Sequence, residues 1–473
     1  MVNDQLPEMD PAKTHPLTVF HVVAMPYPGR GNINPMMNLC KLLALRRPQH
    51  ILVTFVVTEE WLGFIGSDPK PSNIRFATVP NVIPSELGRA KDFPGFLEAV
   101  STKMEAPFED LLDRLELPVT AILADTYVFW AIGVGNRRNI PVASLWPMSA
   151  TVFSVLHHFE LLVQHGHFAK EVLECKDELV DYIPGVPVTR IVDLPTVMSR
   201  SSHDQVLHRC LDGVSSVSKV QYLLFTSVSE LEANVIDTLK GKLPLPVYPI
   251  GPAIPYFEPQ KNSSTTSDHN GVNYLRWLDC QPTCSVFYIS LGSFLSISSA
   301  QMGEIASGLQ DSGVRYLWVS RGETDQLGDV GGCDMAGLVL PWCDQLKVLC
   351  HPAVGGFWTH CGWNSTMEAV FAGVPMLTFP ILGDQFPNSK QVVEDWKVGW
   401  RVKKDVRSEN LVTRGEISEL VKRFMDQKNN ESNEMRERAK QLQKACRSAV
   451  AEGGSSETNL DAFIKDVLKG HNY

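Results

Sequence analysis

Several features that would classify a 473-residue chain at once are missing from this one. Its ten cysteines (Cys40, Cys175, Cys210, Cys280, Cys284, Cys333, Cys343, Cys350, Cys361, Cys446) include no CxxC and no paired metal spacing. Reduced, mostly packed thiols are therefore expected, rather than a zinc or disulfide framework. No run of about 18 apolar residues occurs, so no membrane span is expected. The opening residues, MVNDQLPEMDPAKTHPLT, lack a basic n-region and an apolar h-region, which argues against a secretory signal and for a cytoplasmic protein. Positive charge is in deficit: 43 lysines and arginines face 53 aspartates and glutamates, a net charge of −10. Neither nucleic acid nor an anionic membrane is then expected as a partner. An anionic ligand would need a local site, built from backbone amides.

What is present is an ordinary globular composition, 44% apolar, at a length that accommodates two or three domains. Val19 to Tyr27 is continuously apolar, as a strand buried on both faces of a parallel sheet would be. It leads through PGRGNINP into the helical MMNLCKLLALRR. Further strands are expected at Ile51 to Val57, Ile74 to Val79, Ala121 to Ala124 and Val142 to Trp146, with one helix over Phe96 to Leu115. Residues 1–250 read as a doubly wound, Rossmann-like domain. Residues 251–271, proline-bearing and then polar, read as a linker. Alternation resumes over 272–450, with strands at Val286 to Ser290, Tyr316 to Ser320, Leu338 to Pro341, Val354 to Thr359, Val374 to Phe379 and Gly399 to Val402. Two α/β domains facing each other across a cleft follow. Within 451–473, Leu460, Phe463, Ile464, Val467 and Leu468 form one apolar helical stripe, expected to pack on the protein itself. Nothing in the chain demands more than a monomer.

The stretch Trp342 to Gln385 organises the rest. Its centre, THCGWNSTMEAVFAGVP, reads as a strand, a tight turn and a helix N-terminus, where free N–H groups favour an anion such as phosphate. Capping alone could explain Asn364 and Ser365. It would not explain His360, Trp363, Glu368, Asp384 and Gln385 close by. The turn at Leu382 to Pro387 adds a carboxylate and an amide, groups suited to sugar hydroxyls. Near the N-terminus, Gly29-x-Gly31 after a strand hints at dinucleotide binding, but Asn34 stands where the third glycine would be, so a dehydrogenase is poorly supported.

Trp342 to Gln385, with its HCGWNS, GVP and Asp384-Gln385, resembles the signature box of plant family 1 UDP-dependent glycosyltransferases. The likeness extends to PYPGRGxINP, ADTYVFW, the IGP before the linker and the YISLGS after it. The resemblance implies the GT-B fold of two Rossmann-like domains. It also implies UDP-glucose as co-substrate and a small lipophilic acceptor, with no bound cofactor. Uracil would stack on Trp342, with the Cys343 backbone and Gln345 beside it, and Glu368 would hold the ribose. His360, Asn364, Ser365 and Ser293 would bind the diphosphate, and Trp363, Asp384 and Gln385 the glucose. The chain has no D-x-D, which implies metal-independent transfer. Acceptor contacts are expected from Tyr27, Trp130, Trp146, Ser149, Thr151 and His157. Asp344, where the family has proline, is either a charge near the uridine or a solvated loop carboxylate.

One departure bears on catalysis. The family's base is a histidine in G-H-x-N-P, and the matching residue here is Asn32, next to the expected partner carboxylate Asp125. An imidazole takes a proton near neutral pH and an amide does not. His21, deep in the first strand, is a poor substitute. Three readings stay open: a deliberate substitution that traps a complex, a catalytically inactive UDP-sugar-binding variant, or an enzyme whose acceptors are already ionised or that uses Asp125 through a water.

Overall fold

The computed structural model describes residues 19–168, 175–198, 204–257, 274–292, 297–320, 336–403, 405, 407–408 and 410–469. The apolar runs become short parallel strands. In order these are β1 (Phe20–Met25), β2 (Ile51–Thr58), β3 (Ile74–Val79), β4 (Ala121–Asp125) and β5 (Val142–Trp146). A small antiparallel pair follows, β6 (Leu179–Val180) with β7 (Thr189–Arg190), then β8 (Tyr222–Phe225) and β9 (Val247–Pro249). The first sheet has the order β3-β2-β1-β4-β5-β8-β9. Six later strands, β10 (Val286–Ser290), β11 (Arg315–Val319), β12 (Gly337–Leu340), β13 (Val354–Thr359), β14 (Met376–Thr378) and β15 (Gly399–Arg401), form the second. Its order is β12-β11-β10-β13-β14-β15.

Both sheets are doubly wound, and each reverses direction beside its first strand, between β1 and β4 and between β10 and β13. Ligands of such sheets bind beyond the strand ends at that reversal. Asp125 ends β4 and His360 directly follows β13, so each half presents its chemistry at its own switch point. The pleat divides the cores: Val23 and Met25 of β1 enter one cluster, Val22 and Ala24 the cluster on the opposite face. In β10, Phe287 and Ile289 separate from Val286 and Tyr288 in the same way.

Three local features differ from the sequence reading. The expected helix over Phe96 to Leu115 is two helices, Phe93–Lys103 and Glu105–Asp113, because Pro107 has no N–H to bond the Lys103 carbonyl. β9 was not expected; ending in Pro249, it is tolerated at the sheet edge. Eight described cysteines are free, but Cys280 is disulfide-bonded. Residues 258–271 of the expected linker lie outside the described residues, and 251–254 are buried, with Asn38 donating to the Ala253 carbonyl at 3.0 Å.

The chain ends by returning to its first half. Helix Asn430–Val450 lies against helix Trp363–Ala372, where Gln443 donates to the Ala372 carbonyl at 2.7 Å. The last helix, Ser455–Lys469, buries Leu460, Phe463, Ile464 and Val467 with the β1 and β2 side of the first sheet. Arg46 pairs with Glu457 and Asp461, each at 2.8 Å. Among the described residues, no helix is long and apolar enough to cross a membrane.

Candidate active site in the interdomain cleft

On the second domain, Trp342 follows β12 and is 56% exposed, an aromatic plate left uncovered. Cys343 behind it is buried. The Asp344 side chain caps helix Gln345–Leu349, accepting the Lys347 N–H at 3.2 Å and pairing with Lys347 Nζ at 2.9 Å, and its charge helps raise the Glu368 pKa. Gln345 is a brace. Its Nε2 donates to Ser365 Oγ at 2.9 Å and Glu368 Oε2 at 2.5 Å, while Oε1 accepts the Tyr288 hydroxyl at 3.1 Å. Burial pushes the Glu368 carboxyl up to about 7, against the Gln345 bond, which lowers it.

Helix Trp363–Ala372 opens at Gly362, a cap with no side-chain hydrogen bond. Asn364 and Ser365 are thus inside the first turn and are not the caps. His360 lies between two glycines: a Cβ at Gly292 would stand 2.7 Å from its Nε2, and one at Gly362 only 2.6 Å. Gly292 is also in the left-handed region, at φ 86°. Burial lowers the His360 pKa to about 4, so the ring is neutral at physiological pH and offers a hydrogen bond, not a charge. Trp363 is 3% exposed and faces Trp396, so its ring belongs to the core; a contact with sugar would fall to its backbone. Beyond β14, Asp384 Oδ2 accepts Asn388 Nδ2 at 2.9 Å, and burial raises its pKa to about 6. Gln385 Oε1 accepts the N–H groups of Ile381 (2.7 Å) and Leu382 (3.0 Å). Ser293 lies outside the described residues.

The first domain meets this half directly. Helix Arg30–Arg46 starts at an equally uncapped glycine, Gly29, with Pro35 inside the helix and not at its opening. Proline has no N–H, so the Gly31 carbonyl loses its helical partner. Asn364 Nδ2 of the second domain donates to that carbonyl at 3.0 Å. Two uncapped helix N-termini therefore converge on one point, an arrangement that suits a diphosphate. Next to that contact, Asn32 Nδ2 donates to Asp125 Oδ2 at 2.9 Å, and Asp125 Oδ1 accepts the Tyr127 N–H at 2.9 Å. Burial raises the Asp125 pKa to about 6, partly offset by its hydrogen bonds from the Tyr127 backbone and Asn32. His21 is fully buried and engaged with Thr54 Oγ1 at 2.7 Å and the Leu117 carbonyl at 3.1 Å, away from the strand end.

Comparison with known proteins agrees with this geometry. Residues 259–440 match the family model described as UDP-glucoronosyl and UDP-glucosyl transferase. The Arabidopsis thaliana protein UDP-glycosyltransferase 87A2 is 53% identical over 97% of this chain and 99% of its own length. The chain belongs to the UDP-glycosyltransferase family. Two solved family structures, each 27% identical and covering 95% of this chain, share the fold. One, from Phytolacca americana, is complexed with UDP-2-fluoro-glucose and pterostilbene; it has a TM-score of 0.77, with its whole chain covered. The other, from Polygonum tinctorium, is a UDP-glucosyltransferase capable of glucosylating indoxyl, complexed with 3,4-dichloroaniline; its TM-score is 0.79, with 99% covered. This glycosyltransferase thus has the GT-B fold.

The residues expected at an acceptor wall lie mostly inside the first domain. Trp146 is fully buried and bonds the Ser149 carbonyl at 2.8 Å; Trp130 is buried and bonds the Val100 carbonyl at 3.0 Å. Ser149 is buried as the cap of helix Ala150–His157, and Thr151 Oγ1 donates to Glu232 at 2.7 Å. The polar groups of these side chains are thus engaged within the first domain. His157 is exposed, stacked on Phe153, and Tyr27 is buried with its hydroxyl unpartnered. Tyr127, half-buried, was missed. Its ring lies 6.3 Å from that of Tyr27 and 5.6 Å from that of Trp146. Burial raises its pKa, as do Cys210 and, more weakly, the carboxylates of Asp125 and of Asp384 in the second domain. The available signal was its place two residues after Asp125 in ADTYVFW.

Proposed function

We propose that the chain is an inverting glucosyltransferase that moves glucose from UDP-glucose to an oxygen, hydroxyl or carboxyl, of a small lipophilic acceptor. The Asn364 to Gly31 hydrogen bond carries this reading, since it sets two uncapped helix ends and the Asn32–Asp125 pair around one point of the cleft. In this reading uracil stacks on Trp342 and the ribose hydroxyls donate to Glu368. His360, Ser365 and the helix-end N–H groups meet the diphosphate, and Asp384 and Gln385 hold the sugar. The acceptor oxygen attacks the anomeric carbon opposite the leaving group. The bond from that carbon to the β-phosphate oxygen breaks and UDP leaves with its electron pair; a carboxylate gives a β-glucose ester, and a hydroxyl gives a β-glucoside after its proton passes to solvent. Helix-end donors take up the charge of the departing UDP, so the transfer needs no metal. The donor analogue and the aromatic ligands of the two solved relatives support the substrate classes.

Asn32 shapes which acceptors react. With one Nδ2–H committed to Asp125, the amide can offer an acceptor hydroxyl Oδ1 or its second N–H, and neither removes the proton. Oxygens ionised at neutral pH, carboxylates and acidic phenols, need no base and react first. The test is a panel of carboxylates, acidic phenols and neutral alcohols incubated with UDP-glucose and the purified protein, with UDP and glucosides measured by chromatography. Glucosides of the ionised acceptors are expected. No UDP-glucose binding, or no consumption by either this chain or its Asn32→His variant with any acceptor, would overturn the reading.

A further inference from the structure

The turn that precedes Asp384 and Gln385 is held by the other domain. Gln385 Oε1 takes the N–H groups of Ile381 and Leu382, which fixes the start of the turn from within. Gly383, at φ 64° in the left-handed region, is gripped from outside. Its N–H donates to Thr196 Oγ1 at 2.6 Å, and its carbonyl accepts the Thr196 N–H at 3.3 Å. Thr196 belongs to the segment that follows β7 in the first domain. That segment is itself anchored on the second domain. Arg401 bonds the buried Asp193 at 2.9 Å, Arg407 donates to the carbonyls of Val192 (2.9 Å) and Leu194 (2.7 Å), and Val192 packs on Phe386. Asn388, which holds Asp384, also donates to the Cys361 carbonyl at 3.0 Å, tying this turn to the one that carries His360.

We infer that Thr196 is a positioning residue for the donor sugar. Acting through Gly383, it sets the sugar-facing pair Asp384-Gln385, so that discrimination of the hexose depends on a segment of the acceptor domain. The inference rests on the UDP-glucose reading above. It makes a separable claim: the uridine end of the donor is gripped at Trp342 and Glu368, away from this clasp, so the hexose feels it most.

The test is calorimetric binding of UDP and of UDP-glucose to the full chain and to Thr196→Val and Thr196→Ser, which needs no turnover. Thr196→Val keeps the side-chain shape and removes the oxygen that accepts the Gly383 N–H. It is expected to weaken UDP-glucose by about tenfold while UDP stays within about twofold, and Thr196→Ser, which keeps the oxygen, is expected to bind both as the unaltered chain does. An unchanged thermal midpoint in Thr196→Val would place the loss at the site rather than in the fold. Equal weakening of UDP and UDP-glucose, or no change in either, would overturn the clasp. If the unaltered chain binds neither ligand, the donor reading itself fails and the clasp with it.

Discussion

In the second domain most of the residues proposed to face the donor come from one stretch, Trp342 to Gln385, and are braced locally: Gln345 holds Ser365 and Glu368, and Asn388, just beyond it, holds Asp384. In the first domain, Asn32 and Asp125 are brought together from 93 positions apart, and most of the expected acceptor wall is turned into the core. Both domains use the same doubly wound sheet with its opening at the same kind of reversal. On the function proposed above, they differ in what the ligand demands. A nucleoside diphosphate needs fixed donors and acceptors, which one strand–turn–helix segment can supply. An apolar acceptor needs only shape, which scattered side chains provide.

The two domains differ most in effect if the first lacks a competent base. Asn32→His should raise kcat on a neutral alcohol by about 100 to 10,000-fold, because an imidazole beside Asp125 can take the proton that the amide cannot. Activity on an acceptor carboxylate should change little. Steady-state rates on a matched alcohol and carboxylate check this; equal gains on both would show that the substitution repairs something other than proton removal.

Two tryptophans sharpen the contrast. Trp130, buried against Phe108 with its N–H on the Val100 carbonyl, should cost about 3–5 kcal/mol of stability as Trp130→Ala, read as a lower denaturation midpoint. Trp342 is exposed, so Trp342→Ala should leave that midpoint nearly unchanged. It should instead weaken UDP binding by about 1–3 kcal/mol, the usual loss of a base–aromatic stack. A destabilised Trp342→Ala would show that this ring is structural and that the two halves are less different than they look.

The same contrast explains what could be read from the chain alone. Continuous apolar runs announced parallel strands, because burial on both faces leaves no polar alternation to confuse them. The stretch Trp342 to Gln385 stood out because His360, Asn364, Ser365, Glu368, Asp384 and Gln385 are polar groups that a core would not otherwise gather in so short a segment. Trp130, Trp146 and Tyr27 were not legible as wall or core, since an aromatic ring has the same chemistry in either place and only three-dimensional packing decides. The Gly31 carbonyl escaped notice for another reason. Its availability follows from Pro35 four residues on, but its partner, Asn364, is 333 positions away.

The smallest expected effect is one of pH, and it belongs to the donor half. Glu368 has a pKa of about 7 in the ligand-free protein because burial disfavours its charge, so at pH 6 most of the protein carries it protonated. A ribose hydroxyl donates more strongly to a carboxylate than to a carboxylic acid. Affinity for UDP-glucose should therefore rise from pH 6 to pH 8 by about three- to tenfold and level off above it. This donor suits the measurement, because its diphosphate is esterified at both ends and carries no monoester proton that titrates near pH 6. Asp384, at about 6 for the same reason, adds a rise in the same direction centred one unit lower. Glu368→Gln should remove the upper part of the profile and leave the lower. A profile that stays intact in that variant would take Glu368 out of the ribose site and leave the brace at Gln345 as its whole role.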